Sequence, residues 1–200
     1  MKWRVLMAVS MATAGLLLAA APAAAQTPLK ITPLAEKKVP SLPAGQLYWQ
    51  IERFASLPAA QAAAGPYGLA VESRGSAWLF RLGAADLPKT AGGEPVASVG
   101  PVPRFPAAEY LLRINEATGA PGSVTAVHTH PGSEAFFVLS GEQSIRTPGG
   151  VLRVSSGRSE TGHGADVPMQ VSSSGATDLH ALVMFVVDAG RPFSSPAKLD

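Results

Sequence analysis

Residues 122–141 read GSVTAVHTHPGSEAFFVLSG, and this stretch decides the fold. Alternate residues of a strand project from one face. At that spacing His128 and His130 present two imidazoles to one point, and a tight turn at Pro131-Gly132 brings Glu134 back beside them. Two imidazoles and one carboxylate form the facial donor set that suits Fe(II), Mn(II), Ni(II) or Zn(II), with positions left open for a further ligand. Phe136, Phe137, Val138 and Leu139 follow as apolar walls that keep such a site dry. An isolated His-x-His is more often a polar strand end bonded to backbone carbonyls, so the surroundings carry the decision.

Outward from this stretch the chain keeps a β rhythm. From Ala108 onward, short runs of β-branched and aromatic residues are broken every 8 to 12 residues by Gly, Pro, Ser or Asn, the grammar of a sandwich or barrel. The runs are 109–115, 123–130, 135–140, 143–147, 151–155, 167–172 and 179–187. The last, LHALVMFVV, is apolar on both faces apart from His180, as a buried central strand must be. His180 itself is expected to be buried and bonded to neighbouring backbone.

The N-terminal half reads differently. Residues 26–45 hold four prolines and no hydrophobic period, which predicts an extended arm rather than an element. Residues 46–64 predict a short strand and then an alanine-rich helix ending near Gly65-Pro66. Leu69 to Leu82 predicts a hairpin around Arg74-Gly75, and residues 83–106 a Pro/Gly-rich loop. The expected organisation is therefore an arm and extension over residues 26–107 packing on a barrel over 108–190, with a tail over 191–200.

Lys2 and Arg4 precede an apolar run, Val5 to Ala21, that ends in Pro22-Ala23-Ala24-Ala25. This reads as a signal peptide over residues 1–25, and hence a periplasmic or secreted protein with no membrane attachment after cleavage. The chain has 16 basic and 14 acidic residues, and removing that segment leaves fourteen of each. No Lys/Arg block points to nucleic acid. The absence of cysteine excludes disulfides and thiolate chemistry.

The 122–141 stretch resembles the first motif of the cupin superfamily: a glycine, five residues, His-x-His, three or four residues, Glu, six residues and a glycine. Gly122, His128, His130, Glu134 and Gly141 occupy its fixed positions. The resemblance implies an all-β fold, a double-stranded β-helix (jelly-roll) barrel, here with an N-terminal extension of a few strands and a short helix. It implies His128, His130 and Glu134 as ligands of a divalent transition metal, Fe, Mn, Ni, Zn or Cu. It also implies a small-molecule ligand or substrate, and pairing of barrels into a homodimer. An oxidoreductase of dioxygenase type is one function so implied, and a non-catalytic binding or sensing module is the other.

The second cupin motif normally adds a histidine from a later strand, and here Gly157-RSETGHGADVPMQVSSS departs from it. Strict counting puts His163 at the proline position and Pro168 at the histidine position, whereas a shift of one residue puts Met169 there, followed by Gln170. Three readings stay open. Met169 supplies a soft thioether as fourth ligand, or His163 folds over the mouth as a third imidazole, or the position is lost and Met169 packs as core. His163 and Gln170 are on any of these readings candidates for the pocket wall.

Overall fold

The alternating apolar runs become strands wherever a second sheet covers one face. The computed structural model describes residues 27–199. The segment read as a signal peptide, residues 1–25, lies outside the described residues. In chain order the N-terminal elements are β1 (Lys30–Val39), β2 (Leu47–Phe54), α1 (Leu57–Ala63), β3 (Gly68–Ser73), β4 (Ser76–Gly83) and β5 (Glu94–Val102). They are followed by β6 (Tyr110–Gly119), β7 (His128–Thr129), β8 (Gly132–Ser140), β9 (Glu142–Thr147) and β10 (Gly150–Ser155). The chain closes with β11 (Ser159–Thr161), β12 (Gln170–Ser173), β13 (Leu179–Asp188) and β14 (Ser195–Pro196).

The larger barrel sheet has the order β1-β6-β13-β8-β11, the smaller β10-β9-β12, and β14 pairs with β7. A fourth sheet, β3-β4-β2-β5, belongs to the extension. All pairings between these strands are antiparallel.

Strand β13 shows why its sequence has no polar face. Ala181, Val183, Phe185 and Val187 join Phe136, Val138 and Ile145 in the barrel interior. Leu182, Met184 and Val186 join Trp49, Phe80 and Trp78 in a second core, between the barrel and the extension sheet. Phe137, also on that outer face, meets the Trp78 ring edge-on at 5.7 Å. Period-2 alternation is therefore present along β13, but both faces are dry.

Several expectations need correction. The proline-rich arm is an element: β1 is an edge strand of the barrel, paired with β6 from Lys30↔Thr118 to Val39↔Tyr110. Proline is tolerated there because an outer edge needs no donor, and the register slips between Pro33 and Ala35. The 83–106 loop contains β5, an edge strand on β2 whose Gly and Pro content hid it. The 123–130 run is mostly irregular, reduced to a bridge at Val124 and the two residues of β7. The helix ends as expected, with Ser56 capping its N-terminus by accepting from Ala59 N–H. Gly141 turns β8 into β9 at φ +74°, a conformation that strains any residue bearing Cβ.

His180 bonds to side chains, not to backbone. Its Nε2 lies 2.6 Å from Glu116 Oε1 and 3.0 Å from Ser73 Oγ, and Ser73 Oγ donates to the same carboxylate oxygen at 2.7 Å. This cluster ties β3 of the extension to β6 and β13 of the barrel. Burial pushes the Glu116 carboxyl up, but the bonds from Ser73 and His180 and the charges of His180 and Lys30 outweigh it and hold it below its ordinary 4.5. A carboxyl held low stabilises the fold above its unfolded value and loses that contribution as pH falls through its folded one. The advantage of the native protein over Glu116→Gln is expected to be full near neutrality and to be lost in acid, as pH falls below 4.5 and through the lowered folded value, in denaturant titrations across pH. A gap that persists unchanged in acid contradicts the cluster.

Candidate functional site

His128 sits on β7, whose strand character comes from pairing with two backbones. It exchanges backbone hydrogen bonds with Met169 at 2.9 and 2.8 Å, and β14 pairs on its other side. Its Nδ1 is 2.9 Å from the Ala126 carbonyl, and the His130 Nδ1 is 2.7 Å from the Phe193 carbonyl. A carbonyl only accepts, so Nδ1 carries a hydrogen in both rings, and in the neutral imidazole it is Nε2 that keeps the lone pair. The two ring centroids are 4.9 Å apart with planes at 82°. His130 is buried between Phe185 and Phe193, at 4.8 and 4.7 Å.

Glu134 projects inward from β8 on the face that also carries Phe136. It is 2% exposed, and its Oε1 has no hydrogen-bond partner among the described residues. Gly162 backs it closely, since a Cβ there would stand 2.6 Å from Glu134 Cγ. Burial pushes the Glu134 carboxyl up to about 8. Burial pushes His130 down to about 4, with the Phe193 carbonyl opposing and the charges of His128 and Arg113 adding. At neutral pH the cavity wall therefore carries a neutral buried imidazole and a protonated carboxyl.

These side chains line one cavity of ≈ 390 Å³, in the size range of small-molecule pockets. His128, His130 and Glu134 all face it, and Phe136, Val183 and Phe185 form apolar walls. Met169 does not line it. That side chain is 1% exposed and packs with Ile145 and Val171 in the barrel interior, so the packing reading replaces the thioether ligand. His163 lies elsewhere, in a depression beside the β9–β10 turn with Thr147, Leu152 and Val167. Its Nε2 is buried without a hydrogen-bond partner among the described residues, and burial lowers its pKa. Gln170 donates to the Thr125 carbonyl at 3.1 Å and is not among the cavity-lining residues.

Among the wall residues that sequence reasoning missed are Arg113, Asn115, Phe185 and Phe193. The first two were detectable: in LLRIN the polar residues at 113 and 115 share one face, while Leu112 and Ile114 point to the second core. Arg113 lays its guanidinium over the Phe193 ring at 4.2 Å and donates from Nε to Asn115 Oδ1 at 2.8 Å. Phe193 was assigned to a tail. Instead residues 193–197 close the mouth, with β14 on β7 and Ala197 N–H donating to the Val127 carbonyl at 3.1 Å.

Both imidazoles fit a transition metal, because each presents a free Nε2 whose orientation the opposite nitrogen fixes. Glu134 Oε1, without a hydrogen-bond partner among the described residues, fits the same donor chemistry. Among the described residues, however, no three His, Asp or Glu side chains are gathered closely enough to hold one ion. The donor set is thus chemically suitable and geometrically open.

No protein-family model and no curated protein matches the chain. Among solved structures it is similar to a DMSP lyase structure at 20% identity, covering 44% of each chain, with a TM-score of 0.38. A cupin-like protein of Thermotoga maritima aligns at 15% identity over 44% of this chain and 65% of that one, with a TM-score of 0.39. A conserved protein with a double-stranded β-helix domain from Klebsiella pneumoniae aligns at 21% identity over 44% and 75%, with a TM-score of 0.37. The matched part spans less than two thirds of the first two chains.

The chain is all-β, with facing antiparallel sheets of five and three strands, and its Gly122–Gly141 stretch, which resembles the first cupin motif, supplies the residues at the cavity. The larger sheet is covered on its outer face by the four-stranded sheet of the extension.

Proposed function

We propose that the barrel mouth is a small-molecule site that binds a divalent transition metal through Nε2 of His128 and Nε2 of His130, with Glu134 as the third donor. The observation that carries this reading is the pair of Nδ1–carbonyl bonds, which leave both Nε2 lone pairs available. An ion held there supplies Lewis acidity toward a ligand oxygen. Phe136, Phe185 and Phe193 give the cavity an apolar wall, and the Phe193 carbonyl holds the His130 ring in place. An oxidoreductase of dioxygenase type is the enzyme class this donor set suits, because two histidines and one carboxylate leave coordination positions open. The apolar segment at residues 5–21 supports a periplasmic or secreted location.

Metal analysis of the protein purified without chelator tests the site. Near-stoichiometric metal is expected in the native protein, with loss of most of it in His128→Ala and in His130→Ala. Metal-free native protein, or a content that neither substitution changes, rejects the proposal.

A second reading is favoured by one observation: among the described residues no three His, Asp or Glu side chains are gathered closely enough to hold one ion. On that reading the barrel is a non-catalytic binding or sensing module, with the imidazoles as polar anchors. The same metal analysis separates the two.

A further inference from the structure

The cavity is apolar for most of its wall, yet one formal charge is built into it. Arg113 lines it from β6, between Leu112 and Ile114, both fully buried on the opposite face. Holding a guanidinium in such surroundings is costly unless something repays the lost hydration. Its only ion-pair partner among the described residues is Glu36, at 3.5 Å, which is 60% exposed and lies outside the cavity wall. Stacking on Phe193 at 4.2 Å fixes the plane of the group, and the Nε bond to Asn115 Oδ1 fixes its rotation. What remains is the edge at the end of the fork, Nη2 together with the hydrogen of Nη1 that is not turned to Glu36 Oε2 at 3.5 Å.

Asn115 extends that edge. It is 2% exposed and also lines the cavity. Because Oδ1 accepts from Arg113, the other end of the amide is the NH₂ group, a second donor beside the first. Two donors and a positive charge, with no acceptor between them, select an anion. The planar fork of one arginine matches a carboxylate. Beyond it the aromatic wall of Phe136, Phe185 and Phe193 suits an apolar body.

We propose that this cavity takes a compact apolar carboxylic acid, bound as its carboxylate by Arg113 and Asn115 with its body against Phe136, Phe185 and Phe193. The proposal deepens the reading of the barrel mouth as a small-molecule site. It does not require that a metal be present there.

Benzoate and its neutral isostere benzamide are suitable probes, measured by calorimetry on metal-loaded and on chelator-treated protein. In both preparations benzoate is expected to bind the native protein about tenfold or more tightly than benzamide, the scale of a charge-assisted hydrogen bond. Arg113→Gln is expected to abolish that preference while leaving metal content unchanged. Arg113→Lys, which keeps the charge without the fork, retains part of it and serves if the glutamine variant fails to fold. Equal binding of the two probes, or a preference that survives in Arg113→Gln, overturns the proposal. So does a preference that disappears on chelation, since the carboxylate then binds the metal and not Arg113. Metal-free native protein that still prefers benzoate would reject the metal site and leave this assignment standing.

Discussion

Alanine at Gly132 is expected to destabilise the fold by about 1–3 kcal/mol or more, the scale of an overpacked core. The added Cβ would stand 2.2 Å from the Val186 carbonyl oxygen and 2.5 Å from Val187 Cα. Both are backbone atoms of β13, so no side-chain rotation relieves the clash. Phe105 Cζ, at 2.9 Å, is the only one of the three near atoms free to swing away. Relief requires β8 to separate from β13 where Gly132 pairs with Val187. Glu134 begins two residues further along the same strand, so the displacement reaches the cavity as well. Denaturant midpoints and metal content, measured on the same preparation, should fall together. A midpoint equal to the native one would show that the two strands do not approach this closely.

Leu182→Ala is expected to cost about 2–5 kcal/mol, the range for emptying a large aliphatic side chain from a packed interior. Leu182 is 0% exposed and belongs to the core between the barrel and the extension sheet. It faces away from the ligand cavity, whose wall takes Val183 and Phe185 from the same strand. The loss should appear in equilibrium denaturation, with benzoate affinity of the folded fraction unchanged. A loss well under about 1 kcal/mol would mean that the extension does not pack against β13 as drawn.

The sequence made the barrel legible wherever local pattern and tertiary environment agree. The 179–187 run was readable as a central strand because both its faces are buried, and the alternation in 135–140 because each face meets a different core. Strand spacing and the motif's glycines drew attention to His128, His130 and Glu134, which the fold places on the wall of one cavity. Met169 was not placeable from sequence, because a thioether opposite a histidine suits a ligand or a core equally. What decided it was burial beside Ile145 and Val171, a property of the folded barrel. β1 and β5 were hidden for a common reason: prolines that forbid a central strand are harmless at an edge. Phe193 had no local signal at all, since its role depends on residues more than sixty positions earlier in the chain.

The placement of β13 between two cores has a consequence for how this chain can change. Odd-numbered positions from 181 to 187 face the barrel interior, and even-numbered positions from 182 to 186 hold the barrel to its added sheet. Mutation along one short segment therefore sorts by parity. Variation at 183 and 185 reshapes what the cavity admits, and variation at 182, 184 and 186 changes only how firmly the two halves cohere. Ligand preference can drift across generations without loosening the junction, provided the substitutions keep to alternate positions.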